Sequence, residues 1–209
     1  MTKLDFKKTD KPLYSGKVDQ WVRLSVPEIS FVAIEGAGDP NGPGYAAALA
    51  ALYPTAYGLK FMAKAQGADF VVPPLEALWW AEDPTVFVSG AREDWRWQVQ
   101  LRVPDTIDES DFQQACETVR ARLTKKEADT SRLSDLFFHT VTEGDSLQTL
   151  HVGPYTDEAE KLADLHQRIM PDLGLTFNGL HHEIYLSDPR RTAPEKLRTI
   201  LRQPVKSTG

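Results

Sequence analysis

The sequence is short of several features that would assign it to a familiar class of protein. Its 209 residues include one cysteine, Cys116, so no internal disulfide can form and a reducing, cytoplasmic location is expected. No run approaches the roughly 18 apolar residues of a membrane-spanning helix, so no membrane contact is expected. The lysines among the first eleven residues precede no apolar segment, so no secretory signal is expected either.

Positive charge is also in deficit. Lys and Arg number 24 against 30 Asp and Glu, which gives a formal net charge of −6. A protein that binds nucleic acid by neutralising phosphates carries a positive surplus, so no nucleic-acid partner is expected. The balance is compatible with cationic ligands. The content of 41% hydrophobic and 26% charged residues is typical of a globular protein with one large or two small domains.

Motifs for metal, phosphate or covalent chemistry are missing. His181 and His182 are adjacent on a predicted strand and point apart, and no further ligand stands at metal-binding spacing. The glycine-rich segment 36–44 lacks the Lys-Ser/Thr pair of a phosphate loop. No Gly-x-Ser-x-Gly and no Cys–His arrangement is present, and Cys116 lies on the apolar stripe of a predicted helix. We therefore expect no metal, no cofactor and no covalent hydrolase mechanism.

Hydrophobic periodicity indicates a mixture of strands and helices. Residues 95–103 alternate apolar and polar side chains, which predicts an antiparallel strand with one buried and one solvated face. Strands are also predicted at 28–35, 75–80 and 182–186, and as a hairpin of 136–141 with 147–152. Helices are predicted at 45–53, 54–61, 112–123, 156–170 and 192–201. The break at Pro54 and the last helix depend on proline and capping signals alone.

Two stretches repeat the same order of signals. A Gly-Pro step followed by tyrosine opens a helix at Tyr45 and again at Tyr155, and each helix is followed by a strand that ends in Asp-Pro, at Asp83 and Asp188. We predict an N-terminal arm over residues 1–27 and one domain over 28–205, with repeats at about 28–125 and 135–205. The fold class is α+β: a duplicated strand-helix-strand-strand module, an antiparallel sheet with helices on one face and a ligand cleft on the other.

The segment from His182 to Val205 and the helix entry Val152-Gly-Pro-Tyr155 resemble the GyrI-like small-molecule-binding domain. The resemblance covers roughly residues 20–205. It implies a two-module fold with a central hydrophobic pocket for flat, often cationic compounds. Members include effector domains fused to DNA-binding regions, a gyrase-inhibitory protein and stand-alone proteins, some of which hydrolyse cyclopropane-bearing, DNA-alkylating natural products. This sequence shows no DNA-binding module, which favours the stand-alone group.

The resemblance maps the family's pocket glutamate onto Glu183 and its companion aromatic onto Tyr185. These residues share one face of a strand, and if helices cover Ile184 on the other face, Glu183 faces the cleft. A carboxylate in an apolar pocket has a raised pKa and suits binding a delocalised cation or activating water. Further candidates supply aromatic surface or a hydroxyl group: Tyr45, Trp79, Trp80, Trp97 and Tyr155. Only one of Trp79 and Trp80 can face the cleft, since they are neighbours on a strand.

Three functions remain open from the sequence. The first is a binding and detoxification protein for hydrophobic, planar, often cationic compounds. Its enzymatic form would be a hydrolase that opens an activated cyclopropane, with Glu183 as the base and Tyr155 or Tyr185 as the proton donor. The second is a multidrug-binding module without turnover. The third is a protein–protein regulator similar to the gyrase-inhibitory relative. The native ligand and the oligomeric state stay open.

Overall fold

A computed structural model of the chain describes residues 3–83, 86 and 90–209. After a short helix α1 (Phe6–Thr9) and a helical turn (Lys11–Tyr14), strands and long helices alternate. Their bounds are β1 (Val22–Ala37), α2 (Pro43–Ala65), β2 (Glu76–Trp80), β3 (Arg96–Val103), α3 (Glu109–Lys125), β4 (Phe137–Val152), α4 (Glu158–Asp164), β5 (Leu175–Phe177), β6 (His181–Tyr185) and β7 (Arg198–Ser207). Helix α4 continues through a wide π-helical turn (Leu165–Ile169) into a last turn (Met170–Asp172).

The strands form a closed antiparallel barrel. Their order is β4-β1-β3-β2-β6-β7, and β7 pairs back with β4, while the short β5 adds to β7. Each half of the barrel contains a strand, a helix and two strands in the same order, with β1, α2, β2 and β3 in the first and β4, α4, β6 and β7 in the second. The predicted α+β class is confirmed, and closure of the sheet is the feature that the sequence did not indicate. Pro84, in the Asp-Pro step predicted to end a strand of the first repeat, lies outside the described residues.

The two faces of the barrel have different chemistry. On β3, Trp97, Val99 and Leu101 point outward and belong to the apolar core under α2 and α3. Gln98 and Gln100 point into the barrel and are 7% and 1% exposed. The predicted solvated face of this strand was therefore wrong, because a closed barrel buries both faces of a strand and the polar row lines its interior.

The N-terminal arm closes one end of the barrel. Leu13 and Tyr14 are buried, and the Tyr14 hydroxyl donates a hydrogen bond to Glu76 in the interior (3.2 Å). The Arg202 guanidinium donates to the carbonyl oxygen of Leu13 (2.8 Å), and the Gln148 amide donates to two further carbonyls of the arm. The arm is thus held by hydrogen bonds to its backbone carbonyl groups, and a pattern of side chains in the sequence does not predict such bonds.

Four predicted boundaries were wrong. Strand β1 begins at Val22 and not at residue 28, and the hairpin predicted around Gly144 is one continuous strand that pairs with β1 along its length. Gly144 has a φ of +67°, and Val26 and Ile29 on β1, three residues apart, line the same interior cavity. Both strands therefore change the facing of their side chains at this level, and the glycine marks a kink instead of a turn.

The other two wrong predictions, a helix break at Pro54 and a last helix after residue 192, were based on proline and capping signals. Pro54 lies inside the continuous helix α2, where the hydroxyl of Thr55 bonds to the Ala51 carbonyl (3.1 Å) and the apolar face packs on the barrel. The predicted last helix is a single turn, Pro194–Lys196, followed by β7. Sheet pairing on both sides of β7 overrides the local capping pattern.

Candidate functional site

Four elements bring an aromatic–carboxylate cluster together on the outer face of the barrel. We use this name for Tyr45, Trp79, Tyr155, Glu183 and Tyr185. Strands β2 and β6 are neighbours, which places the β2 tryptophan beside the β6 carboxylate. The first turns of α2 and of the helical segment before α4 supply the two remaining tyrosines. The tyrosines that follow the two Gly-Pro steps of the sequence, in Gly42-Pro-Gly-Tyr45 and Gly153-Pro-Tyr155, therefore meet at one site.

A chain of hydrogen bonds runs through the cluster to the carboxylate. The indole Nε1 of Trp79 donates to the hydroxyl oxygen of Tyr185 (3.1 Å), and that hydroxyl donates to Oε2 of Glu183 (2.7 Å). The His181 Nε2 lies 3.3 Å from the other carboxylate oxygen. The Glu183 side chain is 13% exposed. The site thus holds a largely buried carboxylate in a fixed orientation.

Aromatic rings surround this carboxylate. The ring of Tyr45 lies nearly parallel to Trp79, with 6.4 Å between centroids and an angle of 10°. The edge of Tyr155 meets the face of Tyr185 at 5.7 Å and 79°. Tyr155 is 40% exposed and forms the solvent side of the cluster. Such rings offer flat apolar surface and a negative face toward a cation.

The tryptophans predicted to bind ligand have three different placements. Trp97 is fully buried at the base of the cluster, in edge contact with Tyr45 (4.9 Å), and a Cβ on Gly36 would lie 2.1 Å from its ring. Trp95 contacts Trp79 at 5.7 Å. Trp80 alternates to the opposite side of β2 from Trp79, so the structure does not bring it into the cluster.

The sequence analysis missed a second carboxyl group, that of Glu158 in the first turn of α4. It is 4% exposed, and burial, with the nearby charge of Glu183 as the next cause, raises its pKa to about 10. His151 Nε2 lies 3.9 Å from its Oε1. The sequence indicated no role for this residue, because its burial depends on how α4 docks on the barrel. At neutral pH this carboxyl keeps its proton.

The tyrosine hydroxyl groups are proton donors in this environment. Burial, followed by the charge of Glu183, raises the pKa of Tyr45 and of Tyr185. Burial, followed by the charge of Glu158, raises the pKa of Tyr155 to about 12. The cluster therefore combines one hydrogen-bonded carboxylate, protonated hydroxyl groups and aromatic faces. This set suits binding of a planar cation and proton transfer at a bound molecule.

The cluster lies on the same outer face of the barrel as the helices. Ile184, between Glu183 and Tyr185, points into the barrel interior and is fully buried there. The Glu183 side chain lies near Tyr45 in the first turn of α2 and Tyr155 in the segment that precedes α4, and it stays 13% exposed. The facing of Glu183 and Tyr185 to one side, as the sequence indicated, follows from strand alternation.

Comparison with known proteins places this arrangement in a family. Residues 24–206 match the GyrI-like small molecule binding domain. A crystal structure of an uncharacterized conserved protein from Listeria innocua is 40% identical, with a TM-score of 0.87, and covers 98% of this chain and 100% of that one. A crystal structure of a hydrolase from Listeria innocua is also 40% identical over the same shares, with a TM-score of 0.82.

A more distant structure shares the fold. The C-terminal domain of EcmrR is 12% identical, covers 90% of this chain and 98% of that domain, and has a TM-score of 0.55. No curated protein matches. No helix in the described ranges has the length and apolarity to cross a membrane. From the match over residues 24–206, the chain belongs to the GyrI-like small-molecule-binding domain family.

Proposed function

We propose that the protein binds planar, hydrophobic cations at the aromatic–carboxylate cluster. The observation that carries this proposal is the Glu183 carboxylate, 13% exposed and oriented by the Tyr185 hydroxyl among aromatic rings. A cation at this place gains a charge partner of low exposure. It also gains a cation–π contact with Tyr45 or Trp79, which contributes on the order of 2 kcal/mol when desolvated.

Fluorescence polarisation with a rhodamine-type cationic dye tests the proposal. Glu183→Gln should weaken the dye by at least about tenfold and a neutral analogue of the same shape much less, since the substitution removes charge and keeps shape. Glu28→Gln, at an exposed position of β1, is the matched control and should leave both affinities unchanged. Equal losses for the dye and its neutral analogue in Glu183→Gln would show that charge has no role.

We further propose that the cluster hydrolyses activated cyclopropanes fused to a dienone. Water attacks a ring carbon as Glu183 removes its proton, the ring C–C bond breaks, and the electron pair moves to the carbonyl oxygen, which takes a proton from a tyrosine hydroxyl. The 2.7 Å hydrogen bond from Tyr185 to Glu183 lets the captured proton return to the tyrosine. The 40% identity to a hydrolase from Listeria innocua supports this class of reaction.

Product formation measured by chromatography and mass spectrometry tests the hydrolysis. General-base catalysis is worth about 10²–10⁴-fold, so Glu183→Gln should reduce turnover by that factor with similar affinity for a neutral substrate. Tyr185→Phe should cost a smaller factor and Tyr155→Phe little, if Tyr185 is the donor; the reverse pattern assigns Tyr155. Wild-type turnover no greater than that of buffer, across several cyclopropane-bearing substrates, would leave a binding module without catalysis.

A further inference from the structure

The barrel interior contains a cavity that the aromatic–carboxylate cluster does not use. Its volume is about 210 Å³, and it opens past the exposed segment 178–180 between β5 and β6. Most of its lining is apolar: the inward rows of the strands supply Val26, Ile29, Phe31, Leu78 and Val141, and the segment at the mouth supplies Leu180. Leu78 points inward while its neighbour Trp79 points to the outer cluster, so one strand separates the two regions.

The charge in the cavity lining is already neutralised by the protein. Glu143 is its carboxylate, and it accepts hydrogen bonds from His182 Nδ1 (2.7 Å) and Arg202 Nη1 (3.0 Å). Burial would raise the pKa of Glu143, but His182 and Arg202 outweigh that effect and lower it to about 2. His182 Nε2 lies 2.9 Å from Glu76 as well. Two carboxylates thus face two cations, and a charged ligand would find no free counter-charge here.

The lining also contains the polar side chains of Gln100, Thr142 and Asn178, and among these three Gln100 is the buried one, at 1% exposure. The Gln100 side-chain oxygen accepts from the Gln98 amide (2.8 Å) and lies 3.2 Å from His139 Nε2. Within the described residues the side-chain nitrogen of Gln100 has no hydrogen-bond partner. A buried amide without a partner costs free energy that an acceptor on a ligand would recover. The cavity therefore presents a buried donor in a lining that is mostly apolar.

We infer that this cavity is a second ligand site, for small neutral molecules with an apolar ring and one hydrogen-bond acceptor such as a carbonyl oxygen. An apolar cavity of about 150 Å³ holds a benzene molecule, so the barrel cavity has room for a substituted single ring. The inference is independent of the proposed function, because the two sites face opposite sides of β2. It also predicts opposite selectivity: cations at the outer cluster and neutral rings in the barrel.

Calorimetric titration with acetophenone and ethylbenzene tests the inference. Wild type should bind acetophenone saturably and ethylbenzene at least about fivefold more weakly, because ethylbenzene has the same shape but no acceptor. Val141→Phe, which fills the cavity, should weaken acetophenone by at least about tenfold and leave the cationic dye unchanged. Glu183→Gln should weaken the cationic dye and leave the affinity for acetophenone unchanged.

Leu180→Trp at the exposed mouth is a second variant, and thermal unfolding checks the fold of each. If Val141→Phe fails to fold, loss of acetophenone binding in Leu180→Trp supports the site by itself. Absence of saturable acetophenone binding to wild type would overturn the inference. So would acetophenone binding that survives both cavity variants and disappears in Glu183→Gln, since the ring would then occupy the outer cluster.

Discussion

Strand β6 carries two charged side chains in adjacent positions, and the surroundings of Glu183 outside the barrel differ from those of His182 inside it. Glu183 points outward, accepts a hydrogen bond from Tyr185 and, in the described part of the chain, forms no ion pair with Lys or Arg. His182 points inward and lies between the carboxylates of Glu143 and Glu76. The paired charges inside hold the barrel and its arm together, whereas in our proposal the outward carboxylate is the charge partner of a ligand. The comparison predicts structural effects from inner substitutions and binding effects from outer ones.

The largest expected effect comes from the inner network. Arg202→Met removes the guanidinium that bonds Glu143, Gln148 and the Leu13 carbonyl. Removing one partner of a buried ion pair costs about 3–5 kcal/mol of unfolding free energy. Urea unfolding of wild type and variant measures this loss of unfolding free energy. Arg168→Met breaks an ion pair in which Arg168 is 62% exposed, and it should cost less than about 1 kcal/mol. Equal losses in the two variants would remove the distinction between the faces.

The next effect is a loss of stability at alkaline pH. Burial alone would lower the pKa of His182, but Glu143 and Glu76 outweigh it and raise the pKa from 6.5 to about 9. The folded state therefore holds this proton more tightly than the unfolded chain does. The resulting stabilisation is present below about pH 6.5 and is lost as the pH rises through 9, by about 3 kcal/mol.

Unfolding free energies at about pH 6 and pH 9.5 measure the loss, with His182→Gln as the comparison. The variant has no imidazole to titrate, so its stability should change less over this interval than that of wild type. If the unfolding free energies of wild type and His182→Gln fell equally over this interval, a group other than His182 would be responsible for the alkaline sensitivity.

A smaller effect separates two adjacent tryptophans. Trp79→Leu removes a ring that stacks on Tyr45 and the donor that orients Tyr185, so the cationic dye should bind about tenfold more weakly. Trp80→Leu changes the opposite side of β2 and should alter the dye affinity by less than about twofold. Fluorescence polarisation on both variants decides it. A loss in Trp80→Leu equal to that in Trp79→Leu would contradict the facing of β2.

The smallest effect is a gain of stability at the outer site. Burial and the charge of Glu183 raise the pKa of Glu158 from 4.5 to about 10, so folding at pH 7 requires this group to take up a proton. Glu158→Gln removes that requirement and should stabilise the protein at pH 7 by at least about 1 kcal/mol, within the upper bound of about 3 kcal/mol set by the interval from pH 4.5 to pH 7. The gain should vanish below about pH 4.5, where the unfolded chain is protonated too. Glu160→Gln, exposed on the same helix, should change nothing.

The sequence allowed prediction of features that depend on local alternation. Glu183 and Tyr185 share a face because they are two residues apart on a strand. The two Gly-Pro steps followed by tyrosine predicted that Tyr45 and Tyr155 open equivalent helices. The α+β class followed from the repeated order of strands and helices. These inferences needed no knowledge of how the sheet closes.

Most features that sequence analysis missed depend on closure of the barrel or on the docking of a helix against it. Gln98 and Gln100 have the polar character of a solvated strand face, and only the pairing of β7 with β4 makes that face an interior. Gly144 and its neighbour Asp145 are typical turn residues, but β4 pairs with β1 on both sides of Gly144, so the chain is kinked there and does not turn back. Glu158 gave no signal, because its burial depends on the docking of α4.

The hydrogen bond between Arg202 and the Leu13 carbonyl also has a consequence for how the chain folds. The two residues are 189 positions apart, so the arm is synthesised long before the strand that fixes it. Contacts of such separation close slowly, and sheet proteins rich in them fold over about milliseconds to seconds. Until β7 pairs with β4 and β6, those two strands present open edges that can pair with other chains. Because this long-range contact forms late, the open strand edges persist until the barrel closes. Aggregation therefore competes with folding mainly in the period just before closure.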